Sequence, residues 1–246
     1  MKYIGIVLVR SNSKRLPKKC FLSFGKYTVL EHIVRRCLYY KITPIICTSV
    51  SQSDNEIIKL AKKLKISYFR GSENNKILRI SDCCKKFNIN FFHTIDADDP
   101  FFCGVAVKKS LNEIKKNNFD IIEPTESSST GSGLVGYSVK SSIFHLISKN
   151  IHKNTNTEMI WGFFKKINNL KIKRLKELSF AIKARLTLDY HEDYIFLETI
   201  RLLLGNFTTR KSIFYLLKKN SDLTKINMFR NKQWSKNQKK IIAKIK

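Results

Sequence analysis

The sequence predicts an α/β fold in which a doubly wound, mixed but mainly parallel sheet is flanked by helices, and three observations lead there. Short, almost unbroken apolar runs such as Tyr3 to Val9 have the composition of strands buried on both faces. These runs alternate with segments whose apolar residues recur at helical spacing. Several of them end in charged loops, which is where an open α/β sheet places its ligand.

The elements follow in order. After a basic loop, Val29, Leu30, Ile33, Val34, Cys37 and Leu38 recur at helical spacing, and Thr28 with Glu31 predicts a capping box. Pro44 ends that helix and a strand follows over 45–49. Asp54 opens a second helix with Ile57, Ile58, Ala61 and Leu64 on its inner face, and strands are expected over 66–69, 91–95 and 120–123, with a helix over 105–116. The polar segment 127–133 reads as a loop, either a surface connection or a lid. Beyond Leu204 the chain is helical and basic, and its lysine-rich end over 239–246 is expected to fray or to form an amphipathic surface helix.

With 246 residues the chain suffices for one substantial domain, expected over 1–246 in three stretches, 1–125, 126–205 and a basic helical tail over 206–246. The 47 Lys and Arg against 19 Asp and Glu give a net charge of +28, which favours phosphates, nucleic acid or anionic surfaces. Lysine is abundant even in core-like segments, so compositional drift accounts for the charge better than a dedicated nucleic-acid surface. The six cysteines form no C-x-x-C pair and read as reduced core residues. No apolar run approaches the roughly 20 residues of a spanning helix and no leader pattern opens the chain, so a cytoplasmic location is expected.

Three places carry the candidate chemistry. The first apolar run opens directly into a loop dense in cations but without glycine, so phosphate would be held by Arg10, Arg15 and Lys19 side chains more than by backbone. A solvated basic turn reads equally well from spacing alone. Asp96, Asp98 and Asp99 follow the run 91–95, where carboxylates suit Mg²⁺ or cap the next turn. Asp189 follows the apolar run 186–188, read as a strand, and Glu192 with Asp193 opens a helix whose dipole favours acids there. Of the histidines, His32 reads as helical, His93 as part of a strand, and His191 is the one close to a candidate site residue.

Residues 10–19, R-S-N-S-K-R-L-P-K-K, resemble the A-R-x-x-S-x-R-L-P-G-K signature of the nucleotide-sugar cytidylyltransferases, or CMP-sugar synthetases, in particular their spore-coat polysaccharide (SpsF-like) branch. Three more segments agree in order: F-R-G-S-E at 69–73, I-D-A-D-D-P at 95–100 against the family's G-D-x-P, and L-T-L-D-Y-H-E-D-Y at 186–194 against R-L-T-V-D-x-x-E-D-Y. The resemblance implies a nucleotide-diphospho-sugar transferase-like, GT-A-type fold, with a nucleotide-binding half over 1–125 and a sugar-side half over 126–205. It implies an Mg²⁺-dependent transfer of CMP from CTP to a sugar acid or modified sugar, with release of pyrophosphate, in polysaccharide or glycan biosynthesis. Arg10, Ser13, Arg15 and Lys19 would hold the triphosphate, and Arg10, Arg15 and Lys19 would serve catalysis. Thr48, Ser49, Arg70 and Gly71 would contact the nucleotide, Asp98 and Asp189 would share the Mg²⁺ with Asp96 beside them, and Tyr137 and Glu158 fall on sugar-side segments. CTP and a sugar acceptor are the expected partners, without a specific nucleic acid or membrane insertion; a homodimer is compatible with the sequence.

The chain also departs from the family. Lys18 replaces the glycine of R-L-P-G-K, Val135 and Tyr137 replace acids of G-L-D-V-E-V-F, and Asn156-Thr157-Glu158-Met159 keeps the glutamate of R-E-H-V. Nucleotide-side motifs survive better than sugar-side ones, which points to an altered acceptor. Two other readings stand beside this one. A GT-A-type glycosyltransferase could use Asp96-Ala97-Asp98 as its D-x-D, but would have no need of a triphosphate loop. A basic nucleic-acid-binding protein would interleave aromatics with a basic face, whereas most aromatics here lie inside apolar runs.

Overall fold

A computed structural model describes residues 2–164, 167–180 and 183–243. In chain order the strands are β1 (Ile4–Leu8), β2 (Ser23–Phe24), β3 (Tyr27–Thr28), β4 (Thr43–Ser49), β5 (Tyr68–Gly71), β6 (Phe91–Asp96), β7 (Ile121–Glu123), β8 (Ser138–Lys140) and β9 (Ile172–Arg174). The helices are α1 (Val29–Tyr39), α2 (Asn55–Lys63), α3 (Lys76–Lys86), α4 (Gly104–Lys116), α5 (Ser141–Asn150), α6 (Trp161–Phe164), α7 (His191–Leu204), α8 (Arg210–Lys219) and α9 (Arg230–Ala243). Seven strands form one sheet in the order β5-β4-β1-β6-β8-β7-β9, and β2 pairs with β3 separately. β1, β4, β5 and β6 run parallel, β8 is antiparallel to both its neighbours, and β9 is parallel to β7. This is the expected mixed, mainly parallel sheet. Because β8 lies between β6 and β7, residues beyond 126 sit inside the sheet built by the first half.

The alternation of side chains along β1 explains its apolar composition. Val7 faces the core shared with Ile33, Val107, Leu188 and Phe196, while Ile6 and Leu8 face the one shared with Ile80, Phe92 and Phe144. Helices therefore cover both faces, and every strand residue from Ile6 to Leu8 is buried. The six cysteines are buried and free, as their apolar surroundings predict.

Local chemistry sets the helix ends. Thr28 Oγ1 accepts the Glu31 amide at 3.2 Å, but the Glu31 carboxylate turns to Arg35, so half of the expected capping box forms. α1 ends before Pro44, on Lys41 at φ 55°, with Lys41 N–H donating to Leu38 O and Ile42 N–H to Cys37 O. This six-to-one closure recurs after α2 at Lys65 and after α3 at Asn88, each time without glycine. Pro44 lies inside β4, which starts two residues earlier than predicted and pairs with Gly5.

Two expectations are corrected. Residues 127–133 form a packed turn instead of a lid: Ser128 Oγ accepts the Leu134 and Val135 amides at 3.0 and 2.9 Å, and Gly131 and Ser132 are buried. Serine hydroxyls replace backbone partners there, so a polar composition codes for order. The run 186–188 joins no ladder; Leu186 N–H donates to Gly131 O, and Leu188 N–H to Asp98 O at 2.7 Å. The expected basic helical tail begins as α8 and α9, joined to α7 by Arg230 bonded to Glu192 and with Asn227 fully buried, while residues 244–246 of the end expected to fray lie outside the described residues. Among the described residues no helix is long and apolar enough to cross a membrane.

Candidate functional site

A cavity of about 740 Å³ opens at the carboxyl ends of β1, β4 and β6. Arg10, Ser13, Arg15, Lys19, Asp98 and Glu158 stand on its wall, so most of the predicted triphosphate and metal residues face one space. Ser49 lines it too. The cation-rich loop leaves β1, crosses the cavity and closes on the 3₁₀ turn Lys19–Phe21, which lifts Lys19 towards Asp98 and Asp189.

The entry of that loop is fixed by Asp54, a residue the sequence marked as a helix start and nothing more. Its Oδ1 accepts the Ser11 amide and hydroxyl, both at 2.8 Å, and its Oδ2 accepts the Thr48 hydroxyl at 2.8 Å, the Ser49 hydroxyl at 2.5 Å and the Ser49 amide at 3.1 Å. Burial would raise this carboxyl, but the bonds from Ser11, Ser49 and Thr48 outweigh it and hold it below the ordinary carboxylate range. Thr48 is fully buried, bonded to Asp54 and absent from the cavity wall.

Arg70, Gly71 and Tyr137 are likewise absent from the cavity wall. Arg70 spends its guanidinium on the carbonyls of Ser49, Val50 and Ser51 at 2.8 to 3.0 Å, and Gly71 pairs with Ser49 in the sheet. These two shape the β4 turn from behind. Tyr137 stacks on Trp161 with ring centroids 3.3 Å apart. His191 is exposed at the first position of α7, and His93 is a buried sheet residue bonded to Ser138.

Lys19, Asp98 and Asp189 form the centre. Lys19 Nζ donates to Asp98 Oδ2 at 2.8 Å, Asp189 Oδ1 at 3.0 Å and Leu188 O at 2.6 Å, and Arg15 Nη2 meets the same Asp189 oxygen at 2.5 Å. Burial would lower the Lys19 ammonium, yet Asp98 and Asp189 hold it above its usual value. Asp189 is 2% exposed; burial would raise it, and Lys19, Arg15 and Arg185 drive it well below the carboxylate range. Asp96 and Asp99 shift the other way, raised first by burial and then by neighbouring carboxylates.

Arg185 was not singled out in the sequence, although it stands where the family's motif has arginine. Its Nη2 donates to Asp189 Oδ2 at 3.0 Å and its Nε to Asp193 Oδ1 at 2.8 Å. Asp193 also accepts the Asp189 and Tyr190 amides at 2.9 Å, the helix-capping role its position predicts. At the other side of the cavity wall, Arg10 Nη2 pairs with Glu158 at 2.6 Å and Arg10 Nη1 donates to Glu73 O. The Glu158 carboxylate, in spite of its desolvation, is held low by Lys76, Arg10 and Arg79.

The two carboxylates fit a divalent cation. Asp98 Oδ2 and Asp189 Oδ1 lie within 3.0 Å of one nitrogen, and the Lys19 ammonium stands in for the positive charge they are built to hold. Among the described residues no group of three or more His, Cys, Asp or Glu is disposed to hold a metal. Two carboxylates can hold a divalent cation that completes its shell with phosphate oxygens and water.

Lys18 sits at φ 53° and ψ 25°, the left-handed conformation that the glycine of R-L-P-G-K would adopt without strain. The loop keeps its shape and the side chain bears the cost. Lys18→Gly is expected to raise unfolding free energy by about 0.5–1 kcal/mol, since relief of left-handed strain exceeds the added chain entropy. Urea titration of the two proteins checks this, and a loss of stability would show that the Lys18 side chain holds the loop.

Comparison with known proteins agrees with this fold. A structure described as a cytidylyltransferase from Leptospira borgpetersenii serovar Hardjo-bovis superposes with a TM-score of 0.81 at 23% identity, covering 91% of this chain and 97% of that one. A CMP:2-keto-3-deoxy-manno-octonic acid synthetase solved with CTP superposes with a TM-score of 0.63 at 10% identity, covering 85% of this chain and 100% of that one. A protein of Methanocaldococcus jannaschii, described as uncharacterized, is 32% identical over 124 residues, so the match spans about half of each chain, 50% of this one and 51% of that one. The family described as Cytidylyltransferase matches residues 4–241, and the chain belongs to that family of nucleotidyltransferases.

Proposed function

We propose that the protein transfers CMP from CTP to a hydroxyl of a sugar acid or modified sugar, for the synthesis of a surface polysaccharide or glycan. The observation that carries this reading is that Arg15, Lys19 and Asp98, on the wall of a cavity at the carboxyl edge of the sheet, meet with the buried Asp189 just behind that wall. The acceptor oxygen bonds to the α-phosphorus, the bond from that phosphorus to the bridging oxygen breaks, pyrophosphate leaves and the hydroxyl proton passes to solvent. Such a transfer asks the protein for position and charge more than for covalent chemistry. Lys19 and Arg15 neutralise the phosphates, and Arg10 holds the loop to the wall through Glu158 and Glu73 until an anion competes for it. Asp98 and Asp189 would hold Mg²⁺, which, when bound, screens the phosphate oxygens and orients them for attack. Glu158, Arg10 and Lys76 give the wall both signs of charge, a lining suited to a hydroxyl-rich acceptor that carries a carboxylate.

Pyrophosphate release measured over four nucleoside triphosphates against a panel of sugars tests the reading. CTP with an acidic sugar should give turnover. Turnover with a different triphosphate, or with none, would overturn it. A second expected result concerns Arg15, whose guanidinium can grip phosphate oxygens bidentately. Arg15→Ala should weaken CTP binding at least about tenfold more than CMP binding, the value of a charged hydrogen bond to the β- and γ-phosphates. Calorimetric titration with both nucleotides reads the difference; equal losses would place Arg15 away from the terminal phosphates.

A further inference from the structure

We propose that Trp234, on the C-terminal helix α9, is a positioning residue that acts through Arg185 to fix the Asp189 carboxylate. The inference rests on the reading of Asp189 as a residue of the transfer site. Its ground is the division of the Asp189 oxygens. Oδ1 is turned to Arg15 and Lys19, whereas Oδ2 is held from behind by Arg185. Which oxygen meets Arg15 and Lys19, the two cations on the cavity wall, therefore depends on where Arg185 lies.

Arg185 is 1% exposed and is gripped along one edge by Asp189 and Asp193, while its Nη1 has no hydrogen-bond partner among the described residues. A desolvated guanidinium with an unpaired N–H turns readily towards any water that reaches it. The ring faces of Tyr190 and Trp234 prevent that, each 5.4 Å from the Arg185 Cζ. Trp234 is half-buried and lies far along the chain from the motif that carries Asp189.

α9 and the turn before it grip the same spot by other bonds. Asn227 Nδ2 donates to Arg185 O and to Asp193 Oδ1, both at 2.9 Å, and Arg230 pairs with Glu192 at 2.7 Å. These bonds fix α9 against the start of α7, and so place the indole over Arg185. Without the indole, water reaches Nη1, the guanidinium tilts, and Asp189 loses the anchor on Oδ2.

The test compares Trp234→Ala, Trp234→Phe, Arg185→Lys and the Trp234→Ala/Arg185→Lys double variant with the wild type. Three quantities are read: kcat, KM for CTP, and Mn²⁺ affinity by electron paramagnetic resonance with CTP present and no acceptor. Trp234→Ala should lower kcat and Mn²⁺ affinity about tenfold, the usual effect of losing a group behind a ligand, with KM for CTP within about twofold. Trp234→Phe, which keeps a ring face, should restore most of both. The double variant should be no worse than Arg185→Lys alone, because a residue acting only through Arg185 has nothing left to act on. Losses that add in the double variant, or Mn²⁺ affinity and kcat unchanged in Trp234→Ala, would overturn the inference. If Trp234→Ala lacks a cooperative melt, Trp234→Leu keeps the bulk without the π face and carries the same two outcomes. A wild-type protein inert towards CTP would instead overturn the proposed function.

Discussion

Asp189→Asn is expected to lower pyrophosphate release from CTP by about a thousandfold, the upper range for removing one preorganised charge from a water-poor transfer site. The isosteric amide keeps the shape but not the charge that collects Arg15, Lys19 and Arg185. Three cations are then left around a site 2% exposed, so the variant should also lose about 3 kcal/mol of stability, as partners of broken buried ion pairs do. The two losses separate by condition. Adding CTP supplies phosphates to the orphaned cations, so the thermal shift induced by CTP should grow in the variant while turnover does not return. A variant that keeps a tenth or more of wild-type turnover would remove Asp189 from the chemistry.

The second large effect is on stability alone. Asp54→Ala removes an acceptor of five hydrogen bonds and strands two backbone amides and the Thr48 and Ser49 hydroxyls, while the Ser11 hydroxyl keeps Ser53 O, in a region that is almost fully buried. A loss of about 4 kcal/mol is expected, from several donors each costing about 1–3 kcal/mol and partly rescued by water. The pH dependence follows from the direction of the shift. Folded Asp54 titrates below the unfolded carboxylate value of about 3.9, so its contribution is complete above that pH and fades as the pH falls through the folded value. Denaturant titrations of both proteins at pH 7 and below pH 4 should therefore show the gap narrowing in acid. A gap that stayed constant would mean that Asp54 is not ionised in the native protein.

Much of this was legible along the chain. The unbroken apolar run of β1 and helical spacing in α1, α2 and α4 follow from solvation, a property each segment carries by itself. The cation-rich loop and the aspartates at strand ends were visible for a related reason, since charged residues abutting apolar runs are costly unless something uses them. The turn at 128–132 misled because serine, threonine and glycine serve open loops and tightly bonded turns alike. Thr48, Arg70 and Tyr137 lie off the cavity wall for a different reason. Each stands close in sequence to the cavity, but a side chain at a strand end can face the ligand, the sheet behind it or a neighbouring ring.

The sequence by itself determined the class of fold, the edge of the sheet that bears the site, and the residue types placed there. Only the tertiary structure decided which side chains meet. Asp54 gathers Ser11, Thr48 and Ser49, and Lys19 joins Asp98 to Asp189 across 79 and 170 residues of chain. Trp234 reaches Arg185 from a stretch that read as a basic tail. The reason is physical: local propensity depends on neighbours within a few positions, whereas an ion pair or a ring contact depends on distances of a few ångströms that folding sets. A buried charge has no preferred partner until the chain has excluded the water that would otherwise solvate it.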